Sequence, residues 1–542
     1  MKRDLDRLAN RTFDILIIGG GITGACIARD AARRGLKVAL VEKNDFAHAT
    51  SAHNSKLIHG GLRYLRNFEL GLVRESLRER RIWQRTAPHL VHPLPFLVPL
   101  YGGGFKARAT MAAGLSLYDM LSFDRGWLDD PAQRLPGHRW FNKADAVAHE
   151  PALAGETLEG AFQYYDAQMY SPERLALENI LDAVGHGATV ANHLRVDGLL
   201  LRHGRVEGAS VRDEMGNAVF DVRAKLTIVA AGPWSDIFLT QVLSKPASHK
   251  LMRSKGIHLI VPAMTKDSAL TVAAQGGHFF VLPWRGHSLL GTTDTAYPGA
   301  PDAVSVSESD IEGFLKFIND NLPSAALTRD KVEHFYAGLR PLVDDGSGDT
   351  YDASRRAEIV DHGKDDGVGN LYSAVGGKWT TSRDLAETVV DTLVSRLETK
   401  ASPCDTATAL LPGGMKQFSE FEKALTQESD NFSGIDHLAR LYGARLPEVL
   451  ALTLKQPELR STFSPSGDIG AQILFAMREE MALTLEDVVI RRTGIGQLGK
   501  PEDSVLERAA KIMANELHWS EDRRKGEITA IARHYKTHGD AA

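Results

Sequence analysis

A glycine motif near the N-terminus constrains the fold of this chain more than any other feature. Gly19, Gly21 and Gly24 form the pattern G-x-G-x-x-G. The motif follows an isoleucine-rich segment, residues 15–18, and opens an alanine-rich stretch that begins near Ile22. The order of strand, tight turn, helix and second strand is typical of a βαβ unit, and such units build parallel sheets. The sequence therefore predicts an α/β fold that starts with a Rossmann-type unit.

The same motif predicts a bound dinucleotide. Its first glycine permits the turn, the second lets the backbone approach a pyrophosphate, and the third lets helix and strand pack closely. Ile22 and Thr23 lie at the helix N-terminus, which faces the phosphates. Glu42 ends the next strand, 18 residues after Gly24, where a carboxylate can accept hydrogen bonds from ribose hydroxyls. The motif alone leaves NAD and FAD open, because both contain the same ADP half.

Composition excludes several classes of protein. The 542 residues are 43% hydrophobic and 25% charged with a formal net charge of −5, so the chain is globular and no nucleic-acid partner is expected. With only Cys26 and Cys404, the chain has no disulfide framework and fits a reducing compartment. No ligand spacing indicates a metal. A polar N-terminus without a long apolar run predicts neither a signal peptide nor a transmembrane helix, and hence a cytoplasmic protein.

Further segments resemble one family of flavoproteins. The longer ones read ATSAHNSKLIHGGLRYL at residues 49–65, IVAAGPWSD at 228–236 and GGKWTT at 376–381. The shorter ones are GTTDT at 291–295, GLRP at 338–341, LYGAR at 441–445 and DVVIRRT at 487–493. Together they resemble the FAD-dependent glycerol-3-phosphate dehydrogenases, within the wider glycine-oxidase and D-amino-acid-oxidase-like group. The resemblance covers most of the chain and implies FAD. No feature demands covalent attachment, so non-covalent FAD is expected.

The resemblance implies which residues lie at the cofactor. In the segment at residues 49–65 these are Ser51, Ser55, Lys56 and Leu57. The other two segments add Gly232, Gly377, Lys378, Trp379 and Thr380. Gly376 and Gly377 are expected to start a helix and to present backbone N–H groups to the flavin or its ribityl phosphate region.

The substrate implied by the resemblance is sn-glycerol 3-phosphate, oxidised to dihydroxyacetone phosphate, with the electrons passed to a membrane quinone. Arg340 and Arg355 match family positions that bind the phosphate, which a planar guanidinium can engage bidentately. Arg356 is the alternative to Arg355. Arg63 and Tyr64 are expected near the substrate.

The catalytic residues are expected to be His258, Lys378 and Arg63. Oxidation of the alcohol requires a base, and histidine suits this near neutral pH. His258 lies in SKGIHLIVP, which resembles the family's segment at the flavin face, and His59 is the alternative. As a cation near the flavin ring, Lys378 can stabilise the anionic reduced form or contact the substrate. Thr293 and Asp294 fall in a family loop near the site.

Other functions stay open at this point. An oxidase of the same scaffold would pass the electrons to oxygen, and a related enzyme would act on another hydroxy or amino acid. An NAD-linked dehydrogenase and a non-catalytic dinucleotide-binding protein are the more distant alternatives. The expected partners are glycerol 3-phosphate, a quinone and membrane lipids on the cytoplasmic face of the inner membrane, and a homodimer is compatible with this reading.

The resulting fold prediction is an α/β protein in three parts. A discontinuous Rossmann-type FAD-binding domain takes residues 1–90, 155–245 and 335–400. A mixed α+β substrate-binding domain, which is also the candidate for facing the membrane, takes residues 91–154 and 246–334. Residues 401–542 are expected to form an all-helical C-terminal domain. In the second part, Lys106 and Arg108 precede an apolar helical pattern, which predicts a helix that either lies in a membrane interface or packs on the core.

Overall fold

The structure is a computed structural model of the 542-residue chain. It describes all residues except 275–276, 344–356, 429–433 and 540–542. The predicted phosphate ligand Arg355 and its alternative Arg356 lie outside the described residues, so their roles stay predictions.

The described chain forms strands and helices in alternation, with a helical C-terminal part. The strands are β1 (Thr12–Ile18), β2 (Val38–Val41), β3 (Leu57–Ile58), β4 (Val91–Tyr101), β5 (Arg139–Asn142), β6 (Leu158–Met169), β7 (Thr189–Ala191), β8 (Leu194–Arg202), β9 (Arg205–Asp213), β10 (Val219–Val229), β11 (Leu251–Pro262), β12 (Ala269–Ala274), β13 (Gly277–Trp284), β14 (His287–Gly291), β15 (Thr295–Ala296), β16 (His334–Val343), β17 (Ala357–Asp361) and β18 (Leu371–Gly376). The helices are α1 (Leu5–Asn10), α2 (Ile22–Arg33), α3 (Leu70–Thr86), α4 (Gly104–Leu121), α5 (Lys143–His149), α6 (Pro172–Gly185), α7 (Ser235–Leu243), α8 (Glu308–Asn321), α9 (His362–Asp365), α10 (Ser382–Val394), α11 (Phe418–Glu428), α12 (Ile435–Tyr442), α13 (Leu446–Lys455), α14 (Gly470–Glu479), α15 (Asp503–Leu517) and α16 (Glu521–Gly539).

The first sheet is the predicted parallel sheet. Its order is β17-β18-β10-β1-β2-β7, and all neighbours from β18 to β7 run parallel. The central strand β1 is buried from Phe13 onward, and α2 covers one face with its alanine-rich side. Strands buried on both faces read as continuous apolar runs, which is why residues 15–18 lack a polar alternation. The α/β fold predicted from the sequence is confirmed.

The second sheet has ten strands and is mostly antiparallel. Its order is β15-β11-β14-β13-β12-β4-β6-β3, with β16 beside β11 and β5 beside β6. Helix α8 packs its buried face, which includes Ile311 and Phe314, into a core with strands of this sheet. This sheet and the first one enclose the cavity described below.

The sheets do not follow the predicted segment boundaries everywhere. Strands β3, β6 and β16 belong to the second sheet, although they fall within segments 1–90, 155–245 and 335–400 that were assigned to the FAD-binding domain. The chain crosses between the sheets within these segments, which local patterns do not reveal. The domain boundaries stay a prediction.

The C-terminal part consists of helices α11 to α16, and the all-helical character predicted for it is confirmed. Two apolar clusters hold it together, one around Leu438 and Phe475 and one around Val489 and Leu506. Among the helices that the structure describes, none has both the length and the apolar composition needed to cross a membrane.

Candidate active site

A large cavity of about 1510 Å³ lies between the two sheets, next to the glycine motif. Most of the residues predicted to bind cofactor or substrate line it. They are Gly19, Gly21, Ile22, Thr23, Glu42, Ser51, Ser55, Leu57, Arg63, Tyr64, Gly232, Arg340, Gly377, Lys378, Trp379 and Thr380. The alternative base His59 also lines it, whereas Gly24, Lys56 and His258 do not.

The glycine turn has the geometry that the motif requires. Gly19 has a φ of +113°, and a Cβ there would lie 2.5 Å from the carbonyl oxygen of Ala230. A Cβ at Gly24 would lie 2.0 Å from the carbonyl oxygen of Gly19, so this glycine lets α2 pack against the turn and does not face the cavity. Gly21 is the N-cap of α2 and lines the cavity, where a Cβ would come within 3.1 Å of the Ser51 hydroxyl.

The carboxylate of Glu42 closes this end of the cavity from the side of β2. Its Oε2 accepts a hydrogen bond from the backbone N–H of Gly20 at 2.6 Å, and its Oε1 accepts one from Asn44 at 2.9 Å. Burial raises the pKa of Glu42. The Ser51 hydroxyl accepts the N–H of Ile22 at 2.9 Å, so it ties the segment around Ser51 to the start of α2.

The turn after β18 brings backbone and side chains to the middle of the cavity. Gly376 and Gly377 have φ values of +71° and +89°, and helix α10 begins only at Ser382. The expectation that the glycine pair itself starts a helix is therefore wrong, because two consecutive left-handed residues form a turn and not a helix. Trp379 donates its indole N–H to the carbonyl of Ser51 at 3.1 Å, which fixes this turn to the opposite wall.

Two cations flank the ring of Tyr64 at the cavity. The Nζ of Lys378 lies 4.1 Å from the ring centroid and also donates to the Ser76 hydroxyl at 3.0 Å. The guanidinium carbon of Arg63 lies 5.0 Å from the same ring. Both distances are within the range of cation–π contacts. Arg63 and Lys378 therefore both contact the ring of Tyr64, and two positive charges lie close together at the cavity.

Arg340 contributes a third cation from β16. Its Nη1 donates to the Ser254 hydroxyl at 3.0 Å, and its Nη2 donates to the Thr292 hydroxyl at 2.9 Å. A Cβ at Gly256 would lie 2.5 Å from Nη2, so the glycine on β11 lets the guanidinium lie flat against the strand. Thr293 and Asp294 of the predicted family loop also line the cavity, and the Asp294 carboxylate is 3.8 Å from Nη1.

The two candidate bases differ in their access to the cavity. His59 lines it, and burial, together with Lys378 and Arg63, lowers the pKa of His59 to about 3. His258 is 2% exposed and stacks on Tyr336 with 5.0 Å between the ring centroids. Its Nε2 lies 2.9 Å from the hydroxyl oxygen of Ser55, which does line the cavity. His258 thus reaches the cavity through Ser55, and its role as the base stays a prediction.

Lys56 also differs from the sequence-based expectation. Its φ is +55°, and its Nζ lies 4.6 Å from the ring centroid of Trp284, away from the cavity that Ser55 and Leu57 line. Lys56 is in the left-handed region and not in an extended segment, and its side chain is buried outside the wall that Ser55 and Leu57 form, so its role at the cofactor stays a prediction. Burial lowers the pKa of Lys56 to about 8.

Several lining residues were not predicted from the sequence. His278 and Phe280 of β13 line the cavity, as do Met111 and Gly114 of α4. Burial lowers the pKa of His278 to about 4, with Arg63 as the next cause. Their segments lack a motif, and only the tertiary packing of β13 and α4 brings them to the site.

Comparisons with known proteins place this site in a family. Residues 14–390 match the family described as FAD dependent oxidoreductase, and residues 404–524 match the C-terminal domain of alpha-glycerophosphate oxidase. A protein of Synechocystis sp. named glycerol-3-phosphate dehydrogenase is 37% identical over 537 residues, which is 96% of each chain. The chain belongs to the FAD-dependent glycerol-3-phosphate dehydrogenase family. An aerobic glycerol-3-phosphate dehydrogenase of Staphylococcus aureus is 31% identical, covering 95% of this chain and 92% of the relative.

A solved structure of the family has the same architecture. The glycerol-3-phosphate dehydrogenase of Bacillus halodurans, complexed with FAD, matches with a TM-score of 0.78 and 27% identity, over 100% of this chain and 99% of that one. FAD is the cofactor of this flavoprotein family, and the site fits it. Gly21 and the N-terminus of α2 line the cavity, where backbone N–H groups can bind a pyrophosphate, and the Glu42 carboxylate can bind the ribose hydroxyls.

Proposed function

We propose that this protein oxidises sn-glycerol 3-phosphate to dihydroxyacetone phosphate with FAD, and that a membrane quinone receives the electrons. The observation that carries the proposal is that Arg63, Arg340 and Lys378 line the same cavity as the nucleotide-binding glycines. A small dianionic substrate needs such cations. The names of the relatives support the choice of glycerol 3-phosphate.

Arg340 is the proposed phosphate ligand among the described residues. Hydroxyls of Ser254 and Thr292 and the carbonyl of Thr293 already hold its guanidinium, so little side-chain freedom is lost when a ligand binds. A guanidinium fixed in this way can offer two parallel hydrogen bonds to phosphate oxygens. Arg355 stays the second proposed ligand.

His59 is the proposed base. Its lowered pKa keeps the imidazole neutral at neutral pH, so a ring nitrogen can accept the proton of the C2 hydroxyl. The cations Lys378 and Arg63 contribute to this low pKa. A bound dianion would offset their charge and raise the pKa of His59, which makes the histidine a better base when substrate is present.

FAD, when bound, supplies a two-electron acceptor for the hydrogen on C2 of the substrate. The chain's own part is to place charge and to exclude water. Lys378 and Arg63 provide positive charge where negative charge develops, in a site that Trp379 and Tyr64 line. The Ser55 hydroxyl, held by His258, is the proposed link between the cavity and the buried histidine. Attachment of FAD is proposed to be non-covalent, because Cys26 is buried inside α2 and its pKa is raised to about 12 by burial.

The proposed quinone site is an apolar part of the cavity beneath α4. Its wall consists of Val98, Leu100, Met111, Gly114, Tyr164 and Phe280. Most of these side chains pack against one hydrophobic cluster that joins α4 to strands of the second sheet. A mostly apolar wall of this kind suits a quinone ring and its isoprenoid tail better than a phosphorylated alcohol.

The proposed membrane contact is the exposed side of α4 and its neighbours. Phe105 is 85% exposed at the start of α4, and Phe68 is 83% exposed just before α3. Lys106 and Arg108 are exposed on the first turns of α4, while Leu115 and Tyr118 near its end are buried. The helix therefore has an exposed end with apolar and basic side chains, as interfacial binding requires, and an end that packs on the core.

The test is anaerobic mixing of the purified, FAD-loaded protein with glycerol 3-phosphate. We expect loss of the yellow flavin absorption, and reoxidation when a short-chain quinone is added. Glycerol without phosphate is the control, because it keeps the alcohol and lacks the anion. An unbleached flavin would refute the substrate, and reoxidation by oxygen as fast as by quinone would refute the acceptor.

A further inference from the structure

The helical C-terminal part holds a carboxylate that follows strand β2 of the nucleotide-binding sheet, through two buried arginines. Asp45 is 0% exposed. Arg492 donates to it with both ends of its guanidinium, Nη1 to Oδ2 at 2.7 Å and Nη2 to Oδ1 at 2.7 Å. Arg491 adds Nε to Oδ2 at 2.8 Å. Bidentate contacts of this kind fix both position and orientation.

The segment around Asp45 is part of the cofactor site. Three residues earlier, Glu42 accepts the N–H of Gly20, and two residues later Ala47 donates its N–H to the Gly20 carbonyl at 3.0 Å. The ring of Phe46 lies against Gly20, where a Cβ would come within 2.7 Å of it. Residues 42–47 therefore hold the middle of the glycine turn at three points, and Glu42 also lines the cavity.

Two carboxylates and a histidine at this junction have the spacing of possible metal ligands. One ligand atom each from Asp45, His193 and Asp487 lies within 4.8 Å of the other two. Positive charge is already supplied there, because Arg491 also donates from Nη2 to Asp487 at 2.9 Å. Among the described residues, the cluster is thus a set of charge-assisted hydrogen bonds between two parts of the chain.

We propose that the C-terminal helical part sets the affinity for FAD by holding residues 42–47 in place through Arg491 and Arg492. The two arginines are positioning residues, since they act on the cofactor through Asp45 and Glu42. Side chains behind a binding site orient the ones that touch the ligand, and a loosened support weakens binding without removing a ligand contact.

Arg174 provides a matched control for the test. It is 0% exposed and donates from Nη1 to Glu480 at 2.8 Å, in a second buried pair between α6 and the helical part. This pair does not include residues 42–47. The variants Arg492→Gln and Arg174→Gln therefore each remove a buried guanidinium group at the same junction, and only the first one removes the bidentate contact to Asp45.

The measurement is the dissociation constant of FAD from each apoprotein, from quenching of FAD fluorescence, at a temperature well below each unfolding midpoint. We expect Arg492→Gln to weaken FAD binding by about tenfold or more and Arg174→Gln by less than about threefold. Both variants are expected to lower the unfolding midpoint of the apoprotein. Substrate is absent, so the result does not depend on the proposed reaction.

A general loss of stability predicts a different result. Equal weakening of FAD binding in the two variants, or no weakening in Arg492→Gln, would overturn the proposal. If Arg492→Gln does not fold, the pair Arg492→Lys and Arg174→Lys makes the same comparison, because lysine keeps the charge and loses the bidentate contact.

Discussion

The Nε2 atom of His258 lies 2.9 Å from the hydroxyl oxygen of Ser55, so this histidine reaches the cavity through a serine. His59, in contrast, lines the cavity directly. We expect His59→Asn to slow anaerobic flavin reduction by glycerol 3-phosphate by about 10²- to 10⁴-fold, the contribution of a general base, while FAD stays bound. His258→Asn should slow it much less. Stopped-flow flavin absorbance measures both, and the reverse order of the two variants would restore His258 as the base.

Arg340→Ala should raise the KM for glycerol 3-phosphate and leave FAD bound. Loss of hydrogen bonds to a charged group amounts to about 1.5–3 kcal/mol, or roughly a 10- to 100-fold loss in kcat/KM. Arg340→Lys should recover only part of it, since a lysine offers a point charge. The control is Arg329→Ala, which loses a pair with Glu308 outside the cavity. Unchanged kinetics in Arg340→Ala would remove this residue from the phosphate site.

The sequence predicted the nucleotide-binding unit well because its signals are local. Strand β1, the start of α2 at Ile22 and strand β2 lie where the glycine motif and the apolar runs placed them. Sheet pairing is less local, as the continuous strand β10 (Val219–Val229) shows. It changes partner near Arg223, which pairs with Gly208 of β9 and Thr12 of β1. A change of partner leaves the strand's own pattern unaltered.

The site was harder to predict where it depends on non-local pairing. His258 sits on β11, whose neighbours are β14, β15 and β16, and these pairings decide which face meets the cavity. The position of Gly114 at the cavity could not be predicted from the sequence, because a glycine within a helical pattern does not by itself indicate a binding site.

The lowered pKa of His59 predicts an acid-dependent loss of stability. An unfolded histidine gains a proton as the pH falls through about 6.5, whereas folded His59 stays neutral down to about 3. The unfolded state binds more protons between these values, so the free energy of unfolding falls as the pH falls. Between about pH 7 and about pH 5, apoprotein of the wild type should lose up to about 2 kcal/mol more than His59→Asn. Urea unfolding at the two pH values measures this, and parallel losses would contradict it.

Gly114→Leu should separate the two half-reactions. A Cβ at Gly114 meets nothing within 4 Å, so the larger side chain can enter the apolar part of the cavity without disturbing the fold. We expect normal flavin reduction by glycerol 3-phosphate and a loss of reoxidation by a long-chain quinone of about tenfold or more. Ala113→Leu is the control, as this neighbour is exposed. Equal quinone reoxidation in the two variants would place the quinone elsewhere.

Phe105→Ser together with Lys106→Glu should weaken binding to vesicles that contain anionic lipid. Phe105 is 85% exposed, and its ring would be buried in the interface of the bilayer. Charge reversal at the exposed Lys106 replaces an attraction of about 1 kcal/mol with a repulsion. The two changes together should reduce co-sedimentation by about tenfold or more.

Because Lys106 also lines the cavity, Phe105→Ser alone separates membrane binding from effects on the site. The control is Leu454→Ser, which removes an equally exposed apolar side chain from α13 in the helical part. If Leu454→Ser reduces vesicle binding and the α4 variants do not, the membrane contact lies on the C-terminal helices.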